Sequence, residues 1–554
     1  MNQTSKICAL GYAALLSAGT LHAQRPNIVF ILCDDHARQA ISAYGNPISK
    51  LAPTPNIDRL AQEGVRFNNC FVENSLSAPS RACLMTGRYS HQNGQIHLME
   101  GIDTTQVFFP ELLQQAGYET AIYGKWNLRC EPKGFTEWHI LDDQGNYWNP
   151  DFQDKNDRTF RREEGYVTDL ITDHAIDFLD HRDASKPFCL MVHHKAPHRN
   201  WMPNLKNLSL YEDTEFPEPA TLFDDYATRG VAALQQKMTI SSAMEMIQDL
   251  KVIEEYDSTS RASTFSLSSL NAELHRMTPD QRQVWDKFYM PRNAKFLSQN
   301  LQGRELTRWK YQNYIRDYMR VVQSVDESVG RIYDYLKAHG LLDNTIIVYT
   351  SDQGFWMGEH GWFDKRFMYE ESFHTPMIVR YPAAVKHPGT ANNDMVQNID
   401  WAPTLLDVAG VKVPAQMEGR SIVPLLLGKK PANWRRSVYY HYYDYPTFHL
   451  VRRHDGVRTG RYKLIHFYGK GGFAGADPVM LTPGTAENRV LNTLNNADYF
   501  PSTSPDINYN ELYDLQKDPD EVNNVYGKPG YEKITRQLQK ELDNYRKRLK
   551  VKEY

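Results

Sequence analysis

Two polar stretches follow apolar runs in this chain: Asp34-Asp35 comes directly after Ile28-Val-Phe-Ile-Leu-Cys33, and Thr345-Ile-Ile-Val-Tyr-Thr350 stops at Ser351-Asp352-Gln353-Gly354. Continuous apolar runs of this length read as strands buried on both faces. Carboxylates that directly follow such strands emerge at the carboxyl edge of an open α/β sheet, where ligands bind. Gathered there, Asp34, Asp35 and Asp352 repel one another unless a cation lies between them. With the Gln353 amide oxygen the donor set is all oxygen, which suits a hard ion such as Ca²⁺ better than zinc. Taken singly, each Asp reads as the cap of a helix or turn; the set argues for a metal.

The run Ser77-Ala-Pro-Ser-Arg-Ala-Cys-Leu-Met-Thr-Gly-Arg88 brings a second kind of chemistry. Ser77 stands where a helix begins, with Pro79 in the first turn, where its missing N–H costs nothing. The free N–H groups and the positive end of the helix dipole favour an anion there, and Arg81, one turn in, adds a cation on the same side. These twelve residues resemble the signature of the type I sulfatases, in which a Cys or Ser at the first position is oxidised to formylglycine. The resemblance is to the serine version and implies a dedicated maturation enzyme as partner. It also explains the modification: a hydrated aldehyde offers one hydroxyl to attack sulfur and a second to expel sulfate, which plain serine cannot do.

Further motifs in family order extend the resemblance over nearly the whole chain: Arg25-Pro-Asn27, Pro53-Thr-Pro-Asn-Ile-Asp-Arg-Leu60, Gly124-Lys-Trp126, Lys195-Ala-Pro-His198, Phe363-Asp-Lys-Arg366 and Leu512-Tyr-Asp-Leu515. The resemblance implies that Lys125 and Lys365 hold the sulfate oxygens, that Arg81 steadies the formylglycine, and that His198 protonates the leaving alcohol. Ser77 joins Asp34, Asp35, Asp352 and Gln353 around the Ca²⁺. Two positions depart from the family pattern. Asn127 stands where a histidine is usual and is expected to contact the nucleophile or substrate in its place, and Gln353 replaces the more frequent Asn or His. The segments 358–369 and 454–465 look most like the glucosamine-6-sulfatase group. That likeness implies a 6-O-sulfated N-acetyl- or N-sulfo-glucosamine at the end of a heparin or heparan fragment, with Asp364, Arg366 and His454 on the sugar hydroxyls. Mucin-type glycans, a phosphate or phosphonate monoester, and an unmodified, purely glycan-binding protein are the competing readings.

Positioning these groups needs parallel strands with helices between them. Glu119-Thr-Ala-Ile-Tyr123 and Phe188-Cys-Leu-Met-Val192 are strand-like, and each follows a helical stretch, Phe109 to Ala116 and Val167 to Asp180. This alternation predicts an α/β fold with a mostly parallel sheet flanked by helices, and the resemblance implies the alkaline-phosphatase-like version. Residues 203–310 are polar and read as an insertion with short helices of its own. Residues 24–430 form the expected catalytic domain, and 431–554, with strand-like alternation from Tyr439 to Tyr468, a smaller α+β subdomain completing the substrate pocket.

The bulk properties set limits on all of this. The 554 residues carry 23% charged and 12% aromatic side chains and a formal net charge of −4, the composition of a globular protein. With no global positive field an anionic substrate must be held by a local cluster of cations, and nucleic acid is an unlikely partner by charge. Lys6, the apolar run Ile7 to Leu16 and the small residues up to Ala23 have the form of a secretory signal, so the mature chain is expected in the periplasm, without stable membrane insertion. Five of the six cysteines lie beyond it, an odd number without metal-site spacing, which argues against a disulfide framework.

Overall fold

Asn27–Cys33 is the centre of the molecule because every residue in it is apolar or buried and side chains alternate between two faces. Val29, Ile31 and Cys33 enter one hydrophobic core with Val167, Ile171 and Tyr318; Ile28, Phe30 and Leu32 enter another with Phe109, Leu113, Trp401 and Leu405. Helices therefore cover both faces: Val167–His181 and the 36-residue helix Gly303–Ala338 on one, Phe109–Gln115 and Trp401–Val408 on the other. This computed structural model describes residues 25–99, 101–253, 265–472 and 504–552. The expected signal segment 1–23 lies outside the described residues.

The main sheet has ten strands. Thr345–Ser351, Asn27–Cys33, Phe188–His193, Glu119–Gly124 and Glu137–Leu141 lie side by side and parallel. Antiparallel pairs flank them, Met377–Arg380 on one side and Asp151–Asp154 on the other. Register decides what happens at the carboxyl edge. Cys33 pairs with Ser351, Leu32 with His193, and His193 with Gly124, so four neighbouring strands end level.

A second, four-stranded antiparallel sheet comprises Ser437–Tyr442, His454–Thr459, Tyr462–Gly469 and Ile507–Asp514. The C-terminal helix Glu532–Leu549 seals one face of it, with Leu538, Leu542 and Leu549 against Val457 and Leu464. The opposite face packs on Trp356, Trp362 and Phe367 of the main body.

Residues 203–310 depart from the expectation of an insertion. They include the 21-residue helix Pro279–Gln299, whose Trp285 and Tyr289 are fully buried in the same core as Tyr314 and Tyr318. Part of the polar composition is buried charge: Lys251 pairs with Asp317 of the helix Gly303–Ala338 at 3.0 Å. Cys33, Cys70, Cys83, Cys130 and Cys189 are free thiols. Among the described residues no helix is long and apolar enough to cross a membrane.

Candidate active site

Strands that end level deliver their next residues to one place. Asp34-Asp35, Asp352-Gln353, Lys125 and the loop carrying Lys195 and His198 follow the four strands. Main-chain bonds lock these turns: Asp352 N–H donates to Cys33 O at 3.1 Å, His194 N–H to Leu32 O at 2.8 Å, and Lys125 N–H to His193 O at 2.8 Å. Gly124 has a φ of 101°, and a Cβ there would lie 2.1 Å from His193 O, so only glycine lets Lys125 turn in.

The buried helix Ser77–Thr86, ended by Gly87 at a φ of 65°, points its first residue at this edge. The Ser77 hydroxyl donates to Asp34 Oδ1 at 2.9 Å. Arg81 places Nε and Nη2 each 3.0 Å from Asp352 Oδ2, and its Nη1 donates to the Lys125 carbonyl at 2.9 Å. Lys125 Nζ pairs with Asp34 Oδ2 and donates to Gln144 Oε1 at 2.7 Å. Lys365 Nζ lies 2.7 Å from Asp35 Oδ2. Three carboxylates and three cations thus surround one point.

Burial at that point is complete, and it sets the protonation states. Burial, helped by Asp34 and Asp352, pushes the Asp35 carboxyl up to about 7 in spite of Lys365, and burial with Asp34 beside it pushes Asp352 up to about 6. Burial would also raise Asp34, but Lys125, Arg81 and Lys365 outweigh it and hold this carboxyl well below the usual range. Carboxylates that ionise so reluctantly have room for another cation. Gln353 donates its Nε2 to Asp35 Oδ1 while its Oε1 is buried without a hydrogen-bond partner. Asp34, Asp35 and His198 each offer a donor atom within 4.8 Å of the others. An oxygen-rich donor set with an orphaned amide oxygen fits a hard metal ion at Asp34, Asp35, Asp352 and Gln353.

A cavity of about 340 Å³ opens over Ser77 and is lined by His198, Asp364, Lys365, Arg366 and His449. His198 is fixed by its Nδ1, which donates to the Arg199 carbonyl at 2.7 Å, so Nε2 faces the site, 3.7 Å from Asp35 Oδ2. Burial first, then Lys365, Lys125 and Lys195, hold its pKa well below that of ordinary histidine. The resting ring is neutral, and a bound anion is what favours its protonated form. Asp364 sits between Arg366 Nε, 3.2 Å from its Oδ1, and His449 Nε2, 3.3 Å from its Oδ2. Asp35, Asp364, Arg366 and His449 all have φ between 66° and 103°. Such backbone costs about 1–3 kcal/mol per residue and clusters at functional sites.

The structure places two expected substrate contacts outside the lining of this cavity. His454 is wholly buried under the second sheet: its Nε2 accepts the Met368 N–H at 3.1 Å and its Nδ1 donates to the Arg452 carbonyl at 2.8 Å, among the rings of Phe367, Tyr440, Tyr442 and Phe467. Burial pushes it down to about 4, which makes it a core residue. Asn127 lines a different cavity with Trp138 and Asp143, and its Nδ2 lies 3.4 Å from Asp143 Oδ1. Reasoning from sequence missed Gln144, which receives Lys125, as well as His449 and Lys195. Lys195 lies over the Tyr147 ring and is pushed down to about 8 by burial against the opposing pull of Glu273. Its place three residues before His198 was a usable signal; Gln144 and His449 come from loops without one.

The family model described as Sulfatase matches residues 26–411. The chain belongs to the sulfatase family. A model described as N-sulphoglucosamine sulphohydrolase, C-terminal, matches residues 358–474 and 502–548 of this sulfatase. It is 46% identical to an N-acetylglucosamine-6-O-sulfatase of Bacteroides thetaiotaomicron, over 98% of this chain and 90% of the relative. The human N-acetylglucosamine-6-sulfatase is 25% identical over 92% of this chain and 82% of its own length. A solved structure in complex with its substrate, D-glucosamine-2-N,6-O-disulfate, superposes with a TM-score of 0.85 at 46% identity, over 95% of this chain and 98% of that one. The parallel sheet with its helices and the C-terminal antiparallel sheet are the alkaline-phosphatase-like fold of sulfatases.

Proposed function

We propose that this sulfatase hydrolyses the 6-O-sulfate ester of a glucosamine, N-acetylated or N-sulfated, at the end of a heparin- or heparan-type fragment, using a formylglycine made from Ser77 and Ca²⁺. The carrying observation is the continuity of one cavity from Ser77, Lys365 and His198 to Asp364, Arg366 and His449. The near-full-length likeness to a protein named for that activity supports it.

Formylglycine at position 77 supplies, as its hydrate, one hydroxyl for attack on sulfur and one to release the sulfate. Asp34, Asp35, Asp352 and Gln353 would hold the Ca²⁺, which supplies positive charge for a sulfate oxygen. Lys125 and Lys365 are the flexible cations placed to receive the remaining sulfate oxygens once the metal neutralises Asp34 and Asp35. Arg81 fixes the approach by gripping Asp352 and the Lys125 carbonyl. His198 presents Nε2 to the cavity, and the sulfate anion favours the proton there that the departing sugar oxygen needs. Asp364 and Arg366 bind sugar hydroxyls beside the sulfate as a charged pair. The reading includes a formylglycine-generating enzyme as partner and, from the signal-like segment ending at Ala23, a periplasmic location.

The test is release of sulfate from defined mono- and disaccharides sulfated at single positions: turnover confined to the glucosamine 6-position is expected, and preference for another position overturns the reading. Asp364→Ala should lower kcat/KM on 6-sulfated glucosamine by roughly 10- to 150-fold, the worth of about 1.5–3 kcal/mol for charged hydrogen bonds. A small aryl sulfate, which lacks the hydroxyls, should be turned over within a few-fold of the parent rate; equal losses on both substrates rule out the assigned role.

Chelation gives a pH signature. Asp35 and Asp352 titrate higher folded than unfolded, so between about pH 4 and 7 the metal-free folded state binds the extra protons and its stability falls as pH rises. Metal holds both groups ionised, so the Tm gained from Ca²⁺ over a chelator should be larger at about pH 7.5 than at about pH 5. Scanning calorimetry showing a gap independent of pH would remove these carboxylates from the metal site.

A further inference from the structure

Outside the cavity over Ser77, three side chains from three elements meet. His139 comes from the strand Glu137–Leu141, His174 from the helix Val167–His181, and Glu163 from the turn between Arg161–Arg162 and that helix. Glu163 Oε1 lies 2.6 Å from His139 Nε2, and Oε2 lies 2.7 Å from His174 Nε2. One donor atom from each residue falls within 4.8 Å of the other two.

The rings are held in this attitude by aromatic packing rather than by the carboxylate alone. His139 stacks on Phe152 at 4.7 Å and 24°, and His174 meets Tyr123 at 6.3 Å and 19° and the edge of Phe152 at 5.4 Å. The two imidazoles are 4.3 Å apart. A cavity of about 510 Å³ opens onto the two imidazoles, lined also by Glu137, Asp154, Asp157 and Asp177 against Lys155 and Arg161, and all three side chains are between 19% and 28% exposed. Access from solvent, fixed ring planes and surrounding negative charge favour capture of a cation.

We propose that His139, Glu163 and His174 form a second metal site, for a borderline divalent ion of the Zn²⁺ class, separate from the oxygen-rich site beside Ser77. Two imidazole nitrogens and one carboxylate oxygen suit Zn²⁺ and disfavour Ca²⁺. Bond lengths of about 2.0–2.1 Å in a tetrahedron separate ligand atoms by roughly 3.3 Å, so the short contacts of 2.6 and 2.7 Å to Glu163 open by about 0.6–0.7 Å. Each neutral ring then carries its proton on Nδ1 and offers Nε2, with a water from the cavity as fourth ligand. Such an ion clips the strand Glu137–Leu141 to the helix Val167–His181. Without a metal the same residues remain an ordinary hydrogen-bonded bridge of a carboxylate between two histidines, and the experiment separates the two.

Untagged, Ca²⁺-saturated protein is dialysed against Zn²⁺ and its bound metal counted by mass spectrometry, beside His139→Ala, His174→Ala, Glu163→Gln and, as a control, His181→Ala. The expected result is one zinc fewer per chain in His139→Ala and His174→Ala, weaker retention in Glu163→Gln, no change in His181→Ala, and a zinc-dependent rise in Tm of the parent that the first two variants lack. Unchanged sulfatase turnover and circular dichroism in Ca²⁺ check that the variants are folded. Equal zinc in the parent and in His139→Ala and His174→Ala overturns the proposal, as does a parent that binds none.

Discussion

Ser77→Ala is expected to abolish sulfate release, a loss of about six orders of magnitude in kcat of the kind seen when a covalent nucleophile is removed. The fold should survive. The serine hydroxyl makes one hydrogen bond, to Asp34, and Lys125 still pairs with that carboxylate after the change, so the Tm should move by no more than the worth of about 1 kcal/mol. In active protein from its native host, mass spectrometry of the peptide holding residue 77 should find it two hydrogens lighter than serine requires. Full serine mass in an active preparation, or Ser77→Ala within tenfold of the parent, would exclude the formylglycine mechanism.

Lys125→Ala and Lys365→Ala should each cost about 10²- to 10³-fold in kcat/KM, the usual penalty for losing one preorganised group facing developing charge. Both should also destabilise the metal-free protein, because each leaves a carboxylate buried without its partner, a loss of about 3–5 kcal/mol for fully desolvated pairs. Ca²⁺ separates the two effects. It supplies the missing positive charge to Asp34 or Asp35, so it should restore most of the Tm; it cannot donate from the lysine's position to a sulfate oxygen, so activity should stay low. If Ca²⁺ restores turnover to either variant, that lysine is structural rather than catalytic.

The chemistry was legible in sequence where it is carried by local runs. An apolar strand followed by Asp34-Asp35 and another followed by Asp352 mark the carboxyl edge of a parallel sheet. The Ser77 to Arg88 run marks a helix start, and the helix does begin at Ser77. Helical stretches at Phe109–Gln115 and Val167–His181 and strand-like alternation between Tyr439 and Tyr468 were also legible, while the strand Ile507–Asp514 was not. What misled was context. His454 sits on a strand whose alternation was readable, but which face meets the core depends on the packing of Phe367 and Tyr440 around it. Asn127 lies two residues from Lys125, and its φ of 56° takes it out of the extended course of the strand before Lys125. The polar stretch after residue 203 read as short helices, and the 21-residue helix Pro279–Gln299 with its buried Trp285 and Tyr289 was not legible there.

By itself, then, the sequence named the candidate site's ingredients: three carboxylates, the serine at a helix start and Arg81 from local runs, and Lys125 and Lys365 through the family resemblance. Each is set by a short run, because strand, turn and helix cap are local in their physical cause. Tertiary structure alone decided which residues complete the pocket. Gln144 reaches Lys125 from a loop, and His449 reaches Asp364 across 85 residues of chain. It also decided that His198 rests neutral among cations and that His139, Glu163 and His174 converge beside the strand Glu137–Leu141. Those outcomes depend on burial and on charges brought together from distant segments, and neither is fixed until the sheet and its helices have packed.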